Sequence, residues 1–434
     1  MEQLKEKIEQ WNMFLRNLTP NGTKDFLPEE VQQFAVVKST LHKTIQNWGY
    51  QEVHTPIIEF VENMAMNLGP EIVKKMFKFQ DFNGEIVAMR PEMTIPIARV
   101  VASKMQDVVP PLRLYYISNV FRYSPDYDER DREFWQAGVE LIGYPSIEAD
   151  GEILALLSFT LRMIGLKDYR IKIGKVNLIE EILDLTNLSK FQKTVLQSIV
   201  SNRDKKAFEK MTKRGKIQSE IRDFLLKLLS LENFEDILKI GLRNIPLIDD
   251  FLTEMYTLYD ILSDYNCLDN VVFDPTINRK IDYYTGIIFE VSLPSSKLTL
   301  GGGGRFDNLV EKFGSNKLSG IGFALEVDKL VEALRMQNRD FLTRRKRMRI
   351  LVSSKKRNAG IKMAKVLRKF GCEVALDVND IDLDSLDIYA KKQDYEFVVF
   401  LDRYNQGKIT VYEVQSDASE TISIAAIEKL LIKD

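Results

Sequence analysis

Apolar residues recur at helical spacing from Pro28 to Trp48, which predicts a surface helix over that stretch. Ahead of it a charged, helical-patterned leader closes at Pro20, and Asn21, Gly22 and Thr23 form a turn. The pattern then shortens to a period of two in GYQEVHTPIIEF, a strand that Pro56 confines to an edge or an end. Between Glu85 and Gly143, the pieces IVAMR, RLYYISNVFRY and EFWQAGVELIG are separated by short polar turns and predict antiparallel strands. ADGEILALLSFTLRMI, from Ala149 to Ile164, returns to helical spacing and is expected to cover that sheet.

From about Asn177 to Leu262 the chain is rich in Leu, Ile, Lys and Glu and poor in Gly and Pro, so it reads as a set of helices inserted into the sheet domain. Strand patterns resume at Asn270 with VVFDPT, IDYYTGIIFEVSL and LTLGGGGRFDNL, and GIGFALEVDKLVEAL passes from strand into helix. After the basic run TRRKRMR, strand and helix patterns alternate to the end, which predicts a small α/β domain. The expected architecture is α+β: a core in two parts, 1–176 and 263–340, around helices at 177–262, then a separate domain at 348–434.

Composition narrows the picture only a little. Sixty-one basic and sixty-three acidic side chains nearly cancel, so no global field gathers a polyanion, and any nucleic-acid contact needs a local patch. The two cysteines, Cys267 and Cys372, match no metal-ligand spacing and fit a reducing compartment. Neither a signal-peptide pattern nor a stretch of membrane-spanning length is present, so the expected location is the cytoplasm, with no metal and no cofactor implied.

Chemistry concentrates where polar side chains interrupt apolar strands, because buried charge persists only when the protein or a ligand pairs it. In MRPEMTIPIAR, Arg90, Glu92 and Thr94 alternate and would share one face of an extended strand. Arg122 precedes a charged loop, and Gln136 and Glu140 follow it on one strand face. INRKIDYYTGIIFE offers Arg279, Tyr283 and Tyr284, and Gly301 to Gly304 let backbone approach a flat ligand. Each signal has an ordinary counterpart: alternating polar residues usually face water, paired tyrosines usually edge a core, and a glycine run without a lysine and hydroxyl is not a phosphate loop.

Taken in order, RPEMT, RLYYISNVFRY with REFWQAGVELIG, IDYYTGIIFE and GGGGRFD resemble the motifs of histidyl-tRNA synthetase and of its non-catalytic paralogue, the regulatory subunit of ATP phosphoribosyltransferase. The resemblance runs from GTKDFLP at Gly22 to the C-terminal domain and implies a class II synthetase-like antiparallel sheet. It also implies a histidine pocket lined by Glu92, Thr94, Gln136, Glu140, Tyr283 and Tyr284, with Arg122 and Arg279 standing where the family carries arginines.

Arg122 and Arg279 fit an active ligase. GFALEVDKL departs from it, because Glu326 and Lys329 occupy the region where the synthetase has an adenine-stacking arginine, and lysine neither stacks nor forks as arginine does. Ser124 and Pro125 replace two nucleotide contacts, and Asp126, Asp128, Glu129 and Asp131 make that loop acidic, offset in part by Arg130 and Arg132. Asp382, Asp384 and Asp387 stand where the anticodon-domain helix is usually basic, so tRNA binding is not expected. The resemblance therefore implies a regulatory subunit with no catalytic residues of its own. Its partner would be a short catalytic phosphoribosyltransferase chain, in a hetero-oligomer whose regulatory chains pair as homodimers near Pro56. An active ligase is the alternative, and an RNA-binding sensor using Arg344, Arg345 and Lys346 is a third reading.

Overall fold

The structure is a computed structural model that describes residues 18–123, 132–213, 217–277, 281–296, 298–314, 317–337, 348–377, 383–402 and 404–427. Helix α1 (Pro28–Asn47) carries the predicted stripe, burying Phe34, Val37, Leu41 and Ile45. After it come β1 (Gln51–Glu52), β2 (Ile58–Phe60), β3 (Lys78–Gln80) and β4 (Ile86–Met89). Helix α2 (Thr94–Lys104) separates these from two long strands, β5 (Leu112–Phe121) and β6 (Glu133–Ile142), and α3 (Ile147–Met163) follows.

Strand β7 (Arg170–Lys175) leads into the inserted helices α4 (Leu178–Asp184), α5 (Lys190–Ser201), α6 (Lys205–Thr212), α7 (Ser219–Leu228) and α8 (Pro246–Asp264). The chain then re-enters the sheet through β8 (Val271–Phe273), β9 (Ile287–Ser292), β10 (Thr299–Phe306) and β11 (Gly320–Glu326), and α9 (Val327–Met336) closes this part. The sheet has eight strands in the order β1-β5-β6-β11-β10-β9-β7-β8. Its pairings are antiparallel except for the terminal pairs β1–β5 and β7–β8, which run parallel.

Because strand side chains alternate, the sheet has two distinct faces. One packs Val139, Leu141, Ile321 and Phe323 against α1, α3 and α9, in a core that runs on into Ile182, Phe224 and Leu252 of the inserted helices. The other sets Leu114, Tyr116 and Phe134 against Ile95, Ile97 and Val101 near and within α2.

Three expectations change here. The RPEMT segment is not a strand: the chain leaves β4 at Met89, turns through Arg90 to Met93, and enters α2 at Thr94. IVAMR is a strand, yet it lies in a separate three-stranded sheet, β2-β4-β3, and does not extend the large one. Within IDYYTGIIFE, only the part from Ile287 on is extended.

The chain divides into two compact units, Met1–Leu342 and Thr343–Asp434. In the second, β12 (Arg349–Ser353), α10 (Arg357–Lys369), β13 (Glu373–Leu376), α11 (Leu383–Lys392) and β14 (Phe397–Phe400) follow the predicted alternation. An antiparallel pair, β15 (Lys408–Glu413) and β16 (Ala418–Ser423), extends this sheet beyond what the pattern announced. Among the described residues, no helix is long and apolar enough to cross a membrane.

Candidate functional site

On the α2 side of the large sheet, a pocket of about 390 Å³, part of it open to solvent, gathers most of the polar residues singled out above. Its floor is strand backbone. Gly302 and Gly304 of β10 and Gly322 of β11 line it without side chains of their own, so side chains from neighbouring elements can lie close over the sheet. A Cβ on Gly322 would lie 2.0 Å from Glu140 Oε2, and one on Gly138 would lie 2.4 Å from the Tyr116 hydroxyl. These two glycines thus make room for two polar groups of the site.

Gln136 and Glu140 project from the pocket face of β6, where the period of two placed them together. Glu92 arrives from the turn before α2. Its carboxylate accepts the N–H groups of Thr94 at 2.9 Å and Ile95 at 2.8 Å, which satisfies orphan donors at the start of that helix. The local fold is therefore set by the same side chain that lines the pocket. Thr94, at the first position of α2, donates its hydroxyl to Glu140 Oε1 at 2.8 Å.

Arg122, just past β5, donates Nε–H to the Pro91 carbonyl at 2.8 Å and lies over the Phe134 ring at 5.2 Å. Among the described residues lining the pocket it is the one cation. Tyr283 donates to Glu92 at 3.4 Å, and the Tyr283 and Tyr284 rings meet edge to face at 4.9 Å to form the remaining wall.

Burial governs the electrostatics. It raises the Glu92 carboxyl above its ordinary range, opposed by the two backbone N–H groups and by Arg122. Glu140 is pushed up well above that range, chiefly by burial and further by the charge of Glu92, with only the Thr94 hydroxyl acting the other way. Three buried polar atoms of the site lack a hydrogen-bond partner among the described residues: Glu140 Oε2, Gln136 Oε1 and the Tyr116 hydroxyl. Orphaned buried polar groups are costly, and three converging on one pocket mark a place built for a polar ligand.

Of the eight candidate residues, seven come together here: Glu92, Thr94, Arg122, Gln136, Glu140, Tyr283 and Tyr284. Arg279 lies outside the described residues, as do Ser124, Pro125 and the acidic loop positions up to Asp131. Arg90 is buried away from the pocket, donating to the carbonyls of Thr55, Pro56 and Asn119. It is a structural tie between segments and does not face water.

Tyr116 escaped the sequence reading, since Tyr115 and Tyr116 look alike there. Pairing of Tyr116 with Gly138 puts its ring on the pocket face. Glu326 pairs with Gln136 across β11 and β6, so it stands on the pocket face just beyond the lining residues, held by Lys329 at 2.7 Å.

The family model described as histidyl-tRNA synthetase matches residues 22–330. This chain belongs to that family. It is 32% identical over 413 residues to a histidine–tRNA ligase from Methanocaldococcus jannaschii, covering 93% of this chain and 97% of that one. It is 36% identical over 315 residues to an ATP phosphoribosyltransferase regulatory subunit from Desulforamulus reducens, covering 72% and 78%. Among solved structures, one titled ATP phosphoribosyltransferase regulatory subunit/histidyl-tRNA synthetase, from Bacillus halodurans, superposes with a TM-score of 0.75 at 30% identity, over 88% of this chain and 98% of that one. The class II synthetase-like fold expected from the motifs is thus the fold observed. Members of this histidyl-tRNA synthetase family with either name lie at similar distance from the chain, so the choice of function rests on its own residues.

Proposed function

We propose that this protein is a non-catalytic regulatory subunit of ATP phosphoribosyltransferase that binds histidine in the pocket beneath α2. Glu92, Thr94, Gln136, Glu140, Tyr283 and Tyr284 would contact the amino acid, with Arg122 and Arg279 meeting its carboxylate side. Such a subunit works in the cytoplasm with a separate short catalytic chain, as a homodimer within a hetero-oligomer. Histidine regulates the partner to the extent that it binds one state of the complex more tightly than the other.

The observation that carries this reading is the Glu326–Lys329 pair. Activation of an amino acid by ATP develops negative charge at the α-phosphate, which needs fixed cations close by. At the end of β11, next to Gln136, the chain offers a carboxylate and a lysine whose charge that carboxylate already engages at 2.7 Å. A pocket for the amino acid therefore sits beside a surface poorly suited to ATP.

An active histidine–tRNA ligase is the second reading, favoured by the position of Arg122 in the pocket and by relatives of that name. Purified protein given histidine, ATP and labelled pyrophosphate separates the two. The regulatory reading expects no histidine-dependent exchange, together with activation of a short phosphoribosyltransferase chain that histidine reverses. Sustained exchange would sink it.

A further inference from the structure

Glu140 is 1% exposed, and its two oxygens are treated differently. Oε1 accepts the Thr94 hydroxyl, while Oε2 has no hydrogen-bond partner among the described residues. The polar and charged groups around it come from every neighbouring element: Gln136 from its own strand, Tyr116 from β5, Arg122 just beyond β5, Glu92 and Thr94 at the start of α2, and Tyr283 and Tyr284 from the loop before β9. Among the lining residues, strands β10 and β11 contribute only glycines and apolar side chains, and Glu326 of β11 stands on the same face just beyond them. Arg122 acts on Glu92, whereas the charge felt by Glu140 is the like charge of Glu92. A carboxyl buried beside a second carboxyl, with a single hydroxyl donor, is more stable as the neutral acid.

We propose that Glu140 carries a proton until the ligand arrives and then gives it to the ligand's ring nitrogen, so that the pocket recognises a basic heterocycle by turning it into a cation. The O–H bond at Glu140 breaks, an N–H bond forms on the ring, and a neutral pair becomes a carboxylate–imidazolium pair. Gln136 Oε1, another unpartnered acceptor on this face among the described residues, is available to the second ring N–H. This inference rests on the histidine reading above and adds a specificity device to it. A side chain of similar size that cannot take up a proton leaves Glu140 neutral and gains none of the charge pairing.

The test is calorimetric titration of the full chain with histidine, in buffers of different ionisation enthalpy, on either side of the imidazole's ordinary value of about 6.5. At about pH 8 the ring arrives neutral and the proton moves within the complex, so no net exchange is expected. At about pH 5.5 the ring arrives charged and Glu140 must release its proton, so close to one proton is expected to leave. Uptake of a proton at the higher pH, with no exchange at the lower, would overturn the proposal, because Glu140 would then have been ionised already.

A ring that binds neutral gives the same proton count, so Glu140→Gln, which has no proton to give, completes the test. The variant should lose affinity on the order of 100-fold, because no carboxylate is left to pair an imidazolium, whereas a ring bound neutral by a neutral acid would find a near-isosteric donor in the amide. Parental affinity would overturn the proposal. If the variant does not fold, the carbon resonance of the Glu140 carboxyl in the parent protein decides: a neutral acid before histidine and a carboxylate after it supports the transfer, and an unchanged signal overturns it. Folded parent protein that binds no histidine at either pH would instead overturn the histidine reading itself.

Discussion

Two buried carboxylates stand on opposite faces of the large sheet, and their surroundings contrast. On the helical side, Asp150 of α3 receives the Arg305 guanidinium through Nε at 3.0 Å and through a terminal nitrogen at 2.6 Å. The same guanidinium also reaches Ser319 Oγ and the Ser146 carbonyl. On the α2 side, Glu140 has one hydroxyl donor and an oxygen with no partner. Both carboxylates are about equally hidden from water, so burial alone does not separate structure from function. What separates them is the counter-charge, which the protein itself supplies to Asp150 and which, on the proposed histidine reading, the ligand would supply to Glu140.

Removing either carboxylate probes that difference, and the effects should differ in size. Asp150→Ala strands the Arg305 cation beside Asp307 and should cost about 3–5 kcal/mol in urea unfolding. A loss under about 1 kcal/mol would mean that the pair contributes little and the contrast is false. Next in size is Gly322→Ala, whose Cβ would meet Glu140 Oε2 at 2.0 Å and the Val139 carbonyl at 2.3 Å. Overpacking of this kind should cost about 1–3 kcal/mol and weaken histidine binding as well. Unchanged stability with intact binding would show that the strand shifts freely there.

Smaller still is Glu140→Gln in the absence of ligand. It removes a carboxyl that has no cationic partner among the described residues, so at about pH 4, where that carboxyl is protonated in both folded and unfolded chains, stability should stay within about 1 kcal/mol of the parent. The effect should appear in the pH dependence. Burial raises the folded-state value of Glu140, so the native state holds a proton that the unfolded chain releases near about pH 4.3. Its contribution is complete below that pH and is lost as pH rises toward the folded-state value, so this one group favours the folded state less across that window. The stability of the parent relative to Glu140→Gln should therefore fall with pH across this window, and a difference that instead rises there would contradict the assignment.

The smallest effect belongs to the C-terminal unit, where polar groups pair at the surface. Lys391 bridges Asp387 and Asp417, and Tyr412 donates to both carboxylates. Exposed pairs of this kind contribute little, so Lys391→Ala should leave the unfolding midpoint where it was, and a clear drop would point to a coupled network.

Chain periodicity by itself determined a good part of this protein. The apolar stripe of α1, the strand pairs and the shared face of Gln136 and Glu140 follow from local geometry, and they were legible because a period of two or of 3.6 is written residue by residue. The same logic misjudged Arg90, Glu92 and Thr94, since alternation has meaning only if the backbone is extended. The chain bends there, with Glu92 capping α2 and Arg90 tied to three carbonyls. Nor could local pattern distinguish Tyr116 from Tyr115, or Arg305 as the partner of an aspartate 155 residues away. Those choices depend on strand register and on which helix covers which face, and only the packed structure decides them, because a side chain's partner is set by distance in space and not along the chain.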